Sequence, residues 1–130
     1  MAYEIPGLQI TLPAAADLSS SQHKFVKLDS SGQAADIAAV TDIPCGVLQN
    51  KPSAAGAAAV VMVIGVSKVQ GDADLTKGNQ IGCSADGQAA AYVAGTDTTK
   101  YIVGQVLQDN AAAAGLITAL INCANPHRAA

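Results

Sequence analysis

The sequence predicts an all-β domain: a compact sandwich or barrel-like fold made of two similar β-units, with an extended N-terminal arm and at most one short helix. Three observations predict it. Short β-branched runs are bounded by glycine-containing turn sequences. A block of sequence recurs in the same order. The alanine-rich stretch that would score best as helix, "NAAAAGLITALINCA", carries no charge for a solvent face and is interrupted by Gly115.

The recurrence is specific. Gly32, Gln33, Ala34, Ala35, Ala39, Thr41 and Asp42 return as Gly87, Gln88, Ala89, Ala90, Ala94, Thr96 and Asp97, each 55 positions later. Val47, Leu48 and Gln49 return as Val106, Leu107 and Gln108, and Ala54–Gly56 as Ala113–Gly115, now 59 positions later. The spacing implies two units, approximately 25–70 and 80–124, with four extra residues around "TTKYIVG" in the second.

Taken in order, residues 1–22 read as an arm. Pro6, Gly7 and Pro13 interrupt it, and its one short strand is Leu8–Leu12. The β-domain spans 23–124. In "FVKLDSSGQAADI" two short runs flank a turn at Asp29–Gly32, and "IGCSADGQAAAYV" repeats the plan around Gly87. Val60, Val61, Val63, Ile64, Val66 and Val69 make a long, largely buried strand. "DADLTKGN" suits one helical turn, capped by Asp72 or Asp74 and ended by Gly78. "KYIVGQVLQ" and Leu116–Cys123 are shorter strands, and 125–130 is a tail. Arm and tail are expected to be mobile unless something holds them.

Composition narrows the function. The chain has 130 residues, enough for one domain with a core. Half of it is hydrophobic, yet 27 residues are alanine and only 3% are aromatic. Alanine buries little area, so the core is thin, and burial against other subunits or a partner would supplement it. Ten acids and seven bases are spread singly, for a net charge of −3. No basic run suggests nucleic acid or a membrane surface. "MAYEIPGLQ" lacks the basic and hydrophobic regions of a secretory signal. The longest apolar run, Ala57–Val66, is far short of the ~20 residues of a membrane helix. A soluble protein made in a cytosol is expected.

Reactive constellations are scarce. Cys45, Cys83 and Cys123 are an odd number, widely spaced, and read as small buried thiols. His23 and His127 lie near opposite ends; only Cys123 stands near either, and zinc takes three or four such ligands. Asp72 and Asp74 lack the remaining positions of a calcium loop. No glycine-rich phosphate motif is present, and Glu4 is the only glutamate. Tyr3, Phe25, Tyr92 and Tyr101 are too few for a base-stacking surface. Lys51 and Lys77 lack the flanks of a swinging-arm carrier. No enzyme activity, metal or cofactor is expected.

The residues assembled so far, "KFVKLDSSGQAA", "TDIPCGVLQNKPSAAGAAAVVMVIGVSKV", "DADLTKGNQIGCSADGQAA" and "KYIVGQVLQ", resemble the small head-decoration or capsid-cement proteins of tailed bacteriophages. The likeness runs from about Lys24 to Ala124 and contains no catalytic signature. It implies a virion protein on the outer surface of the capsid, made in the host cytoplasm. It further implies a homotrimer that bridges neighbouring subunits of the major capsid protein. On that reading Tyr3, Ile5, Leu8, Ile10 and Leu12 of the arm are the candidate capsid contacts, through strand addition at a coat-protein sheet edge. Their competing role is an edge strand packed on this domain. The alternatives for the whole chain are another phage head-fibre or tail component, or a small-ligand-binding β-barrel, which would need a lined cavity.

Overall fold

A computed structural model describes residues 2–73, 75–109 and 115–130. The strands are β1 (Ile5–Pro13), β2 (Phe25–Leu28), β3 (Ala34–Asp36), β4 (Gly46–Leu48), β5 (Ala58–Gln70), β6 (Gln80–Cys83), β7 (Ala89–Ala91), β8 (Tyr101–Ile102), β9 (Gly104–Gln108), β10 (Leu116–Asn122) and β11 (His127–Arg128). Nine of them form a curled antiparallel half-barrel, ordered β3-β2-β4-β5-β10-β9-β6-β7, with β1 added to β5. β8 and β11 make a separate two-stranded ribbon. The domain is all-β, and no helix occurs among the described residues.

The valine run makes β5 the longest strand, and three others pair with it. β4 meets it at Val61 and Met62, β10 from Ile64 to Gln70, and β1 from Ala58 to Val66. The arm strand is therefore longer than Leu8–Leu12. Its backbone lies along β5 from Ile5 to Pro13, with register shifts either side of Leu8. Pro6 and Pro13 are tolerated because β1 is an edge strand. The tail is also held: β11 pairs with β8, and Ala129 is buried.

The short helix is not formed. The Asp72 N–H donates to the Ala89 carbonyl, and Leu75 is sunk in the core. Thr76–Asn79 is a turn, closed by the Asn79 N–H on the Thr76 carbonyl at 3.0 Å and by Asn79 Oδ1 on the Thr76 N–H at 2.9 Å. With its start tied to β7, the segment has too few free residues to nucleate a helix. Asp74, the other proposed cap, and Asn110–Ala114 lie outside the described residues. From Leu116 to Asn122 the ambiguous alanine segment is strand β10.

The hydrogen-bond ladder repeats itself across the domain. Ala14 bridges Ala34 as Gly71 bridges Ala89. The His23 N–H donates to the Leu48 carbonyl as the Gly78 N–H does to that of Val106. Cys45 donates to Val26 as Val103 does to Ile81. β1 runs along the first half of β5 (Pro13 opposite Ala58) as the second half of β5 runs along β10 (Gln70 opposite Leu116). β5 thus closes one half of the ladder and opens the other. The β2–β3 and β6–β7 hairpins each turn through a glycine with positive φ, 78° at Gly32 and 81° at Gly87, where an L side chain would be strained.

The cores repeat as well. Leu18, Val26, Ala34, Leu48, Ala59 and Val61 form one buried cluster. Their ladder equivalents, Leu75, Ile81, Ala89, Val106, Ile117 and Ala119, belong to the larger cluster with Phe25, Met62 and Val69. Where one half has the larger side chain at a position the other compensates nearby: Ala59 and Val61 become Ile117 and Ala119. Such volume-conserving exchanges keep a core close-packed.

The recurrence at 59 positions needs a correction. Val47 pairs with Met62 and Leu48 with Val61, whereas Gln105 pairs with Leu120 and Val106 with Ala119. Leu48 therefore corresponds to Val106, 58 positions on, and Gly46 to Gly104. The register then shifts, and Gln108 pairs with Thr118. Of the four extra residues, three lie before β9, and the fourth is a β-bulge at Leu107.

Candidate interaction surface

β1 and the residues before it bring the five arm candidates to different places. Ile10 lies opposite Val61 and Leu12 opposite Ala59, both residues of the first core cluster. Leu12 packs against that cluster, whereas Ile10 is exposed. Tyr3, Ile5 and Leu8 remain exposed, with Ile5 at 60%. The Tyr3 N–H donates to Thr118 Oγ1 at 2.9 Å, which fixes the start of the arm against β10.

Ile5 and Leu8 do not stand alone. Ile5 pairs with Val66, which pairs on its other side with Leu120. Leu8 pairs with Ile64. Directly paired residues of an antiparallel ladder point to the same face, so these five apolar side chains make one patch over β1, β5 and β10. Leu120 and Ile64 are themselves exposed. An ion pair between Lys68 and Glu4, at 3.6 Å, borders the patch, and Asn122 and Gln105 continue its rows.

Sequence reasoning found the arm residues but missed Ile64, Val66 and Leu120. In a strand that is apolar at nearly every position from Ala58 to Val66, the alternation that distinguishes inward from outward positions is hidden. The outer edge of β1 is also open: among the described residues no strand pairs with it beyond β5.

Titratable groups are dispersed. Burial pushes the Cys45 and Cys83 thiols up to about 11 and Cys123 further. Tyr92 is pushed up to about 12, first by burial, and its hydroxyl donates to the Cys83 carbonyl at 2.6 Å. His127, with Gln80, Gln105, Asn122 and Asn125, borders an open cleft of about 240 Å³. Among the described residues no group of three His, Cys, Asp or Glu side chains could hold a metal ion. Among the described residues no helix is long and apolar enough to cross a membrane.

No protein-family model and no curated protein matches the chain. Solved structures do. The head fiber gp8.5 N base of bacteriophage phi29 superposes with a TM-score of 0.66 at 15% identity, over 89% of this chain and 94% of that one. A chain of the capsid of Myoviridae phage XM1 superposes with a TM-score of 0.58 at 16% identity, over 91% of this chain and 84% of that one. At such identities the likeness is one of fold, shared with one chain of a phage head fiber and one of a phage capsid.

Proposed function

We propose that this chain is a structural protein of a tailed-phage virion. It binds the exterior of the capsid as a homotrimer and cements neighbouring subunits of the major capsid protein. The observation that carries this reading is the near full-length fold likeness to a head fiber base and to a capsid chain. The exposed apolar patch on β1, β5 and β10 supports it with a surface fit for docking. Its function is binding, with no turnover, no cofactor and no direct contact with nucleic acid or membrane.

Tyr3, Ile5 and Leu8, joined by Ile64 and Leu120, are the contact residues on this reading. Because β1 is already laid on β5, the arm engages the coat protein through its outward side chains and its open backbone edge. A ligand that binds only the assembled shell stabilises that shell by mass action. The likeness to a fiber base favours a second reading, in which the same docked domain carries further chain or a fiber partner outward.

The test is quantitative mass spectrometry across a density gradient of lysate from the native source, with wild type and an Ile5→Ser/Leu8→Ser/Leu120→Ser variant. Wild type should co-migrate with DNA-filled heads at a copy number comparable to the coat protein's. The variant should stay folded at the top of the gradient. A copy number near that of a fiber, far below the coat protein's, would select the second reading. Wild type absent from every particle would overturn both.

A further inference from the structure

His23 is the one described non-glycine residue with a positive φ, 64°. Its ladder equivalent is Gly78, whose φ is 90°. The backbone at this position is clamped on both sides. In the first half of the ladder the His23 N–H donates to Leu48 at 2.7 Å, and its carbonyl accepts the Gln70 N–H at 2.8 Å. The conformation is therefore imposed by the fold, and one half meets it with the residue that adopts it freely. The other half meets it with an imidazole, which is strained there.

The imidazole gains nothing visible in return. Its Nδ1 is buried and has no hydrogen-bond partner. A buried polar atom without a partner is rare and calls for an explanation. His23 borders an open concavity of about 360 Å³ with Ser19, Ser20, Gln22, Lys51 and Gln70. The two glutamine amides are committed to backbone carbonyls, of Gln49 and Gln22. The Lys51 ammonium forms no ion pair among the described residues, and the lining itself holds no carboxylate, while Asp17 just outside it engages the Ser19 hydroxyl and accepts the Ser19 N–H at 2.9 Å.

We propose that this concavity is an oxyanion site, which takes a carboxylate or phosphate group between the His23 imidazole, the Lys51 ammonium and the hydroxyl of Ser20. These groups supply donors and positive charge around a ligand with several acceptor oxygens. Glu4, whose field also reaches His23, is engaged by Lys68 at 3.6 Å and leaves Lys51 as the free cation. Burial holds the His23 pKa below the ordinary histidine value, with Lys68 and Lys51 acting in the same direction and Glu4 opposing. A bound anion adds an opposite charge beside the ring and reverses that shift. The site belongs to this chain alone and stands independently of capsid docking.

NMR titration of the two histidines tests it, in chloride, in inorganic phosphate and in N-acetylglutamate N-methylamide. The expected result is a His23 pKa raised by about one unit at saturation, which is about a tenfold tighter complex with the charged ring. His127 should not move. A shift with phosphate alone identifies free phosphate as the ligand. A shift with the blocked glutamate as well identifies an acidic side chain of a partner. His23→Gly should melt no lower than wild type, because strain is relieved, and should lose the anion response of the fold. Lys51→Ala should keep the fold and weaken binding about tenfold. An unchanged His23 pKa in all three media would overturn the proposal, as would His23→Gly melting clearly lower or binding anions like wild type.

Discussion

Gly46 lies against the carbonyl oxygen of Met62 as Gly104 lies against that of Leu120. A Cβ placed at either glycine would stand 2.5 Å from that oxygen. Both contacts are to backbone within a central ladder, so neither neighbour can rotate away. Gly46→Ala and Gly104→Ala should each cost about 1–3 kcal/mol through overpacking. Urea unfolding followed by circular dichroism measures the loss. A loss below about 0.5 kcal/mol at either position would show that the strands separate there without penalty.

This pair also marks how far the sequence could be read. Identity between the halves is high at the hairpin turns, because Gly32 and Gly87 face the same backbone demand. Along β4 and β9 the best letter match, Val47-Leu48 with Val106-Leu107, is one residue out of register, since the bulge at Leu107 is invisible to letters. The "ADL" at Ala16–Leu18 and at Ala73–Leu75 was the remaining clue. It carries Leu18 and Leu75, which are buried at equivalent places, and it would have extended the repeat into the arm. The strand at Leu8–Leu12 and an edge-strand role were legible, but its full reach from Ile5 to Pro13 was not, because two prolines leave no periodic pattern. At His23 and Gly78 the geometry is shared while the residues are not, so only the backbone could pair them.

The bulge makes a prediction of its own. The first half of the ladder runs from Leu48 to Gln49 without the extra residue that Leu107 supplies in the second. Leu107 is partly exposed, while Val106 before it is buried. Deletion of Leu107 should therefore leave a β4-like strand and cost less than about 2 kcal/mol. Deletion of Leu48, which has no bulge to absorb it, should turn the following residues to the wrong face and abolish folding. Circular dichroism and thermal melts of the two deletions decide this. Equal damage from both would refute the bulge assignment.

The three thiols should be poorly reactive in the folded protein. Burial pushes Cys45 and Cys83 to about 11 and Cys123 beyond, so little thiolate exists at about pH 8. Cys83 and Cys123 are buried and Cys45 is half-buried. With an aromatic disulfide reagent, Cys45 should react slowly and the other two only on unfolding, whereas all three should react at once in concentrated guanidinium. Rapid release of all three from the native protein would mean that the core opens far more often than its packing implies.

Asp42 and Asp97 tie down equivalent loops. The Asp42 carboxylate accepts the N–H groups of Ala38 and Ala39 and pairs with Lys27 at 3.1 Å. The Asp97 carboxylate accepts the Val93 N–H and pairs with Lys100 at 3.2 Å. These bonds, the backbone ones foremost, hold both carboxyls below their ordinary pKa. A lowered folded pKa contributes stability that is present above the unfolded value of about 4 and is lost as pH falls through the folded one. Asp72 runs the other way, since burial raises its pKa and its charged form disfavours the fold above about pH 4. Asp42→Asn and Asp97→Asn should thus lower the melting temperature at about pH 7, with a difference that narrows as pH falls toward 3. Asp72→Asn should raise it at neutral pH and leave it unchanged in acid. Melting curves collected from about pH 7 to 3 check all three signs, and a gap for the first two variants that widens in acid would show that the carboxylates do not hold the loops.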